Sequence, residues 1–589
     1  MFMRSTRRWK DGKEHTYWSI VENRRCRGNR VIQHTVLYLG EINDSQKAQW
    51  ISAIEVFDEQ SGGVEQLKLF SSDRALPEAA PDGVQVRLRD FELHRPRQWG
   101  RCWLFSALWK ELGLEEFWRP RLGCSREGTD WEHVLQTLVC YRLLDPGSEW
   151  RLHRVWFDQS AMGDLLGEDF SIAAKDTLYR CLDHLVEHKE ALFAFLCQRW
   201  KDLFGAKFDV LLYDLTSTYF ESDPPEEAQD IRRFGYSRDK RPDCVQVVIA
   251  VILTPEGFPL AYEVLAGNTA DNTTLKSFLG KIETQYGKAN RVWVMDRGIP
   301  TEEVLEQMRQ SDPPVHYLVG TPKGRLGKLE ADLLALDWQQ ARQGVEVKLL
   351  PHENELYVLA RSRDRVAKER SMRQRQLKKL WSRLHELKRM APPRDALLLK
   401  LGAAKSQYPL AWRLLRIEVA ADSTLSFSLR KDKLRQARRR EGHYLLRSNL
   451  SDENPSQLWH LYVLLTQIEE AFKNLKGDLA LRPIFHQIQG RIEAHIFVAF
   501  LAFCLHVTLR HKLRLKAPGL TPRSVFEQLS AIQMLDVHFP TTDGRWLIFR
   551  RYTAPNKLQK LLLAQLELEL PAQFPPRITS TRLLSPLPS

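Results

Sequence analysis

The chain has little that would commit it to a metal-stapled, secreted or membrane-bound class. Its eight cysteines (Cys26, Cys102, Cys124, Cys140, Cys181, Cys197, Cys244 and Cys504) include no C-x-x-C pair. That argues against a zinc site or a disulfide framework and fits a reducing compartment. Long apolar runs are missing too. The longest, Ile496 to Leu505, is too short to span a bilayer and predicts a buried helix, so no membrane partner is expected. The opening stretch, Met1 to Trp9, lacks the apolar core of a signal peptide, and the expected location is cytoplasmic. No internal repeat, zinc finger or basic zipper is visible.

Acidic charge is also in the minority. Lys and Arg number 87 against 74 Asp and Glu, a net charge of +13, which points to a polyanionic partner. The excess is local. Arg361 to Arg389 carries +9 and Arg430 to Arg447 carries +6, so the rest of the chain is close to neutral. With 43% hydrophobic and 27% charged residues, the composition is that of a folded globular protein of two to four domains.

Periodicity divides the chain into distinct segments. Residues 1–60 form a small β-rich segment with strands at Tyr17–Val21 and Val31–Leu39, followed by a helix around Ser45 to Phe57. Residues 61–99 carry the Gly, Ser and Pro punctuation of a linker. The region 100–205 is helical, with Leu104, Leu108 and Leu112 at i,i+4 spacing; it serves DNA binding, dimerisation or packing. Residues 206–320 run strand, strand, strand, helix, strand, helix, strand, a compact α/β order. A basic, β-rich insertion fills 321–450, with a helix over the +9 stretch. A helix near Trp459 opens the segment 451–515, and a tail with helical pieces covers 516–589.

The richest stretch for chemistry runs from Tyr462 to Lys476, YVLLTQIEEAFKNLK. On an ideal helix Tyr462, Glu469, Lys473 and Lys476 fall within an arc of about 60°. Leu461, Leu464, Ile468, Phe472 and Leu475 form a separate apolar stripe. An acid and cations on one anchored face suit work on a phosphodiester; the ordinary alternative is a surface of helical charge pairs. Asp214 and Asp296 each close an apolar strand upstream. Together with Glu469, 173 residues beyond Asp296, they supply three carboxylates, a donor set for two Mg²⁺ ions.

Those residues carry a family resemblance. The chain resembles the DDE transposases of bacterial insertion sequences, in the group with the Y-(2)-R-(3)-E-(6)-K signature (insertion-sequence-four type). Tyr462, Glu469 and Lys476 match at the right intervals. Tyr213-Asp214 with Thr216 and Thr218 resembles the first-aspartate motif, and Val294-Met295-Asp296 the second. Gly257, Pro259, Gly267, Asn268 and Asp271 resemble its usual links, and Arg482, Pro483, His486, Arg491 and His495 resemble the family's segment beyond the third acid. The resemblance spans roughly 207–510. It implies an α/β, ribonuclease H-like catalytic core interrupted by a β-rich insertion, with a mainly helical N-terminal region and a C-terminal helical tail. It implies Mg²⁺-dependent cleavage at element ends (Mn²⁺ able to substitute) and strand transfer into target DNA, by a route that can include a DNA hairpin. Asp214, Asp296 and Glu469 become catalytic metal ligands. Tyr462, Lys473, Lys476 and Arg482 become contacts to double-stranded DNA, which comprises terminal inverted repeats and target. A homodimer on DNA is implied as well. The signature arginine is replaced by Leu465, which cannot bond a phosphate. Two rival readings stay open: a nuclease or resolvase that cuts without joining, and a catalytically silent DNA-binding descendant. Glu470 stands about 100° of helix rotation from Glu469, and the family register favours Glu469. Trp381 and Trp412 are read as core packing or as platforms for an extruded base.

Overall fold

The computed structural model describes residues 2–10, 13–25, 31–44, 46–47, 50 and 84–579, apart from 126–127, 228, 287–290, 297, 322–328, 330–331, 334–335, 353 and 451–453. Most of the expected helix at Ser45–Phe57 and most of the expected linker lie outside the described residues.

The centre is a mixed nine-stranded sheet. Its strands are β5 (Val210–Phe220), β6 (Val245–Leu253), β7 (Pro259–Ala266), β8 (Val292–Met295), β9 (His316–Gly320), β10 (Gln339–Arg342), β11 (Val345–His352), β12 (Glu355–Ser362) and β15 (His443–Ser448). They lie in the order β10-β11-β12-β15-β9-β8-β5-β6-β7. Only β5–β8 and β8–β9 are parallel pairs. Each of those crossovers carries a helix, Leu275–Tyr286 before β8 and Glu302–Gln310 before β9. The predicted order of elements over 206–320 is therefore present. β6, VQVVIAVIL, is buried at every position, which is why it reads as an apolar run without alternation, interrupted only by the buried Gln246.

Both faces of the sheet are covered. On one, Tyr213 of β5 meets Phe278 of helix Leu275–Tyr286 with ring centroids 5.4 Å apart. On the other, Tyr262 of β7 packs on Phe193 and Phe500 at 5.7 and 4.6 Å. Phe193 comes from helix Lys189–Phe204 and Phe500 from helix Gln489–Lys516. The latter is apolar enough to cross a membrane, yet 94% of its most apolar window is buried inside the fold. It contains the buried run predicted at Ile496–Leu505.

The strands of the insertion continue the central sheet through β15, which pairs with β9 and β12. Between β12 and β15 a mainly helical lobe projects. It comprises helices Arg363–Met390, Arg394–Gln407 and Lys431–Arg439 and a hairpin of β13 (Leu415–Val419) and β14 (Leu425–Leu429). Its core is separate, built on Leu380, Leu384, Leu387, Leu397 and Leu401. Trp381 and Trp412 pack against that core, Trp381 with Phe427 at 5.0 Å.

Towards the N-terminus, β1 (Phe2–Lys10), β2 (Lys13–Arg25) and β3 (Val31–Gly40) form an antiparallel meander. The region 100–204 is helical, as predicted. The C-terminal tail differs from its helical expectation. Helices Pro522–Leu529 and Lys557–Gln565 are present, but β16 (Gln533–Pro540), β17 (Trp546–Tyr552) and β18 (Arg577–Thr579) form a sheet with β4 (Glu92–Gln98). The physical reason is the inward row of β16. Met534, Asp536 and His538 alternate into the interior, and two of the three are polar, so no apolar alternation marks the strand. Asp536 is tolerated there because Arg97 of β4 donates to it at 2.9 Å.

Candidate active site

The pairing of β5 with β8 sets the first two acids side by side. Tyr213 is in register with Met295, and the next residue in the chain after each is an aspartate, Asp214 within β5 and Asp296 just past the end of β8. Asp214 does not end its strand as expected. β5 runs on to Phe220, held by β6, while the shorter β8 stops at Met295. The half-buried Asp214 carboxylate accepts from the Leu215 backbone N–H at 2.7 Å. Burial, reinforced by the neighbouring Asp296, pushes its pKa up to about 7 against the opposing effects of that hydrogen bond and Arg238. A carboxyl held at this cost is what a site keeps where a cation compensates it.

Glu469 arrives from helix Leu465–Lys473, which packs over β5 on the Asp214 side. Asp214, Asp296 and Glu469 line one cleft of about 410 Å³. Glu470 turns from it to an ion pair with Arg510 at 3.0 Å. The donors are all carboxylate oxygens, the hard ligands that Mg²⁺ or Mn²⁺ prefers, so the residues fit a divalent metal. Two tighter ligand clusters, Glu149–His486–His495 and Asp130–Glu132–His133, have donor atoms within 4.8 Å of one another.

The surrounding residues divide in a way the sequence did not predict. The helix expected to run from Tyr462 to Lys476 is broken at Leu464, between Pro455–Val463 and Leu465–Lys473, and ends in a π turn over Asn474–Asp478. The common face is kept only for Tyr462 and Glu469, and the two lysines leave it. Tyr462 does line the cleft, packed beside Tyr444 and Trp459 at 5.4 and 5.9 Å, and burial raises its pKa. Lys473 is exposed. Lys476 and Arg482 converge instead on Asp239, whose side chain is 4% exposed; Lys476 Nζ lies 2.7 Å from it. His486 and His495 flank the buried Glu149, with Arg142 close by, an ion-pair network in which a guanidinium already occupies the place of a cation. Among the described residues, the one Lys or Arg lining the cleft is Arg365, the third residue of helix Arg363–Met390. Sequence reasoning singles out neither Arg365 nor Asp239. The local signal for Arg365 is confined to the basic run that contains it.

Residues 206–505 match a family model described as the transposase DDE domain, and residues 2–59 match the IS1634 family transposase, N-terminal domain. No curated protein matches. Among solved structures the chain is similar to the piggyBac transposase synaptic complex with hairpin DNA, determined by cryo-EM. Identity is 9% and the TM-score 0.34, over 76% of this chain and 82% of that one, a loose likeness. The DDE match covers half of the chain, brackets all three acids and implies use of a divalent metal: the chain belongs to the DDE transposases of insertion sequences.

Proposed function

We propose that the protein cuts DNA at the ends of its insertion sequence and joins the released 3′ ends to target DNA, with Asp214, Asp296 and Glu469 as the metal ligands. The observation that carries this is the convergence of three carboxylates from separate segments on one cleft. Supporting it, the order β7-β6-β5-β8-β9, with β8 parallel to the central β5 and β9 parallel to β8, fits a ribonuclease H-like core. Two Mg²⁺ ions, with Mn²⁺ able to substitute, would supply an activated hydroxyl and a stabilised leaving oxygen when bound. The chain's own residues do the rest. β5 and β8 hold two acids at matching register, the glutamate helix brings the third, and Tyr462, Tyr444 and Trp459 wall the cleft. The basic insertion is read as a surface for double-stranded DNA, the inverted repeats and target, and a homodimer on DNA would bring two ends together in the cytoplasm.

The test is cleavage of a duplex bearing the native inverted repeats, with Mg²⁺ or with EDTA, by wild type and Glu469→Gln. Metal-dependent cuts at the repeat ends that vanish in the variant are expected. A pre-cleaved end supplied with a second duplex then separates joining from cutting; hydrolysis without joined product would make the protein a nuclease or resolvase. End binding without any cutting would make it a silent DNA-binding descendant.

A further inference from the structure

The cleft holds an electrostatic problem that the three acids create. Asp214, Asp296 and Glu469 share it with a fourth carboxylate, Glu369. A phosphodiester entering such a space needs positive charge from the protein as well as from metal. The family's arginine on the glutamate helix is absent, Leu465 stands in its place, and Leu465 itself lines the cleft. Lys476 and Arg482 are committed to Asp239. We infer that Arg365, reaching in from the insertion, is the phosphate-contacting arginine of this active site and replaces the one that the glutamate helix lacks. This rests on the cleavage chemistry proposed above.

The placement of Arg365 is built. Helix Arg363–Met390 starts directly at the end of β12, with Ser362 as its capping residue. The Ser362 N–H donates to Gly442 O at 3.0 Å, and the Arg363 N–H to Gly344 O at 2.9 Å. Gly442 has φ +68°, and a Cβ there would lie 2.3 Å from Val366 Cγ2, so only glycine lets the chain pass so close to this first turn. Glu369 accepts from the Gly442 N–H at 2.9 Å and from Arg365 Nε at 2.9 Å. The guanidinium also stands 5.7 Å from the centre of the Tyr444 ring. With Nε engaged, Nη1 and Nη2 have no hydrogen-bond partner among the described residues. They leave a two-pronged edge suited to the non-bridging oxygens of one phosphate. The positive end of a 28-residue helix adds charge of the same sign. An ordinary surface i,i+4 pair of Arg365 with Glu369 would account for the contact between them, but not for its place on the cleft that the three other acids also line.

The experiment compares wild type, Arg365→Ala, Arg365→Lys and Arg365→Ala with Leu465→Arg, all as full-length chains. Each is assayed for end binding, melting temperature and single-turnover cleavage of an inverted-repeat duplex in Mg²⁺. Arg365→Ala should cut at least tenfold more slowly at saturating DNA while binding ends within about threefold of wild type. Arg365→Lys, a point charge without the fork, should fall between the two, and Leu465→Arg should restore part of the lost rate. Cleavage by Arg365→Ala within twofold of wild type overturns the inference while leaving the transposase reading intact. Equal loss in the Ala and Lys variants, with a lowered melting temperature in both, assigns Arg365 to packing and overturns it as well. Wild type that binds ends and never cuts sinks the reading and the inference together.

Discussion

At the scale of single residues, adjacency in sequence and adjacency in charge diverge. Glu469 and Glu470 are neighbours, but one faces the cleft and the other meets Arg510. Glu470→Gln is expected to keep metal-dependent cleavage, whereas Glu469→Gln abolishes it; a comparison of initial rates on one inverted-repeat duplex checks this. Asp239 shows the opposite case, a residue with no motif of its own on which two cations depend. Asp239→Ala would strand Lys476, whose side chain is 11% exposed, and is expected to cost about 3 kcal/mol. Lys476→Met should cost less, because Arg482 still holds Asp239. The check is the ranking of melting temperatures, wild type above Lys476→Met above Asp239→Ala; a reversed ranking would sink the account. Glu469 was legible because its surroundings are local, four apolar positions and an acid on one short helix. The partner of Lys476 was not, since Asp239 lies 237 residues away in a loop that only the fold brings near.

Secondary-structure elements were legible wherever burial is apolar and illegible where polar groups are buried in pairs. β5, β6 and β8 declare themselves as apolar runs, whereas β16 hides behind Asp536 and His538, and its partner β4, ELHRPRQ, reads as a linker. Helix Gln489–Lys516 hides something else. Within its apolar surface it buries His495 and His506, each pushed by burial from its ordinary value down to about 4. A histidine whose folded pKa lies below its unfolded value takes its proton first in the unfolded chain. The stability tied to its neutral form is therefore fully present above about pH 6.5 and is lost as pH falls from there towards 4. For each histidine the loss is on the order of 3 kcal/mol across that window. Melting temperatures measured between pH 7.5 and 4 should fall steeply below 6.5. His506→Leu, which removes one titrating group from an apolar site, should make that fall shallower; an unchanged acid limb would refute the assignment.

Across the whole molecule, the basic excess proves to be a structural unit as well as a composition. The helix that places Arg365 at the cleft continues outward into the lobe with its own leucine core. Ten to eighteen residues further along it, Arg375, Lys378, Lys379 and Arg383 line an open groove with Tyr408. At 1.5 Å per residue that groove begins about 15 Å from Arg365 and extends to about 27 Å. One helix therefore carries positive charge from the cleft outward, and on the proposed function a duplex would run along it. Charges so far from the carboxylates cannot shape the chemical step, but they can hold the phosphate backbone without reading its sequence. Replacing all four by Gln should weaken binding to inverted-repeat and unrelated duplexes by the same factor. The slope of log affinity against log salt should become shallower by about 3.6, near 0.9 for each of four phosphates no longer neutralised. The cleavage rate at saturating DNA should stay within about twofold of wild type. If the variant keeps its salt slope, the lobe faces something other than DNA. If instead it loses cleavage at saturation, the helix does more than hold the duplex, and the separation of binding charge from reacting charge fails.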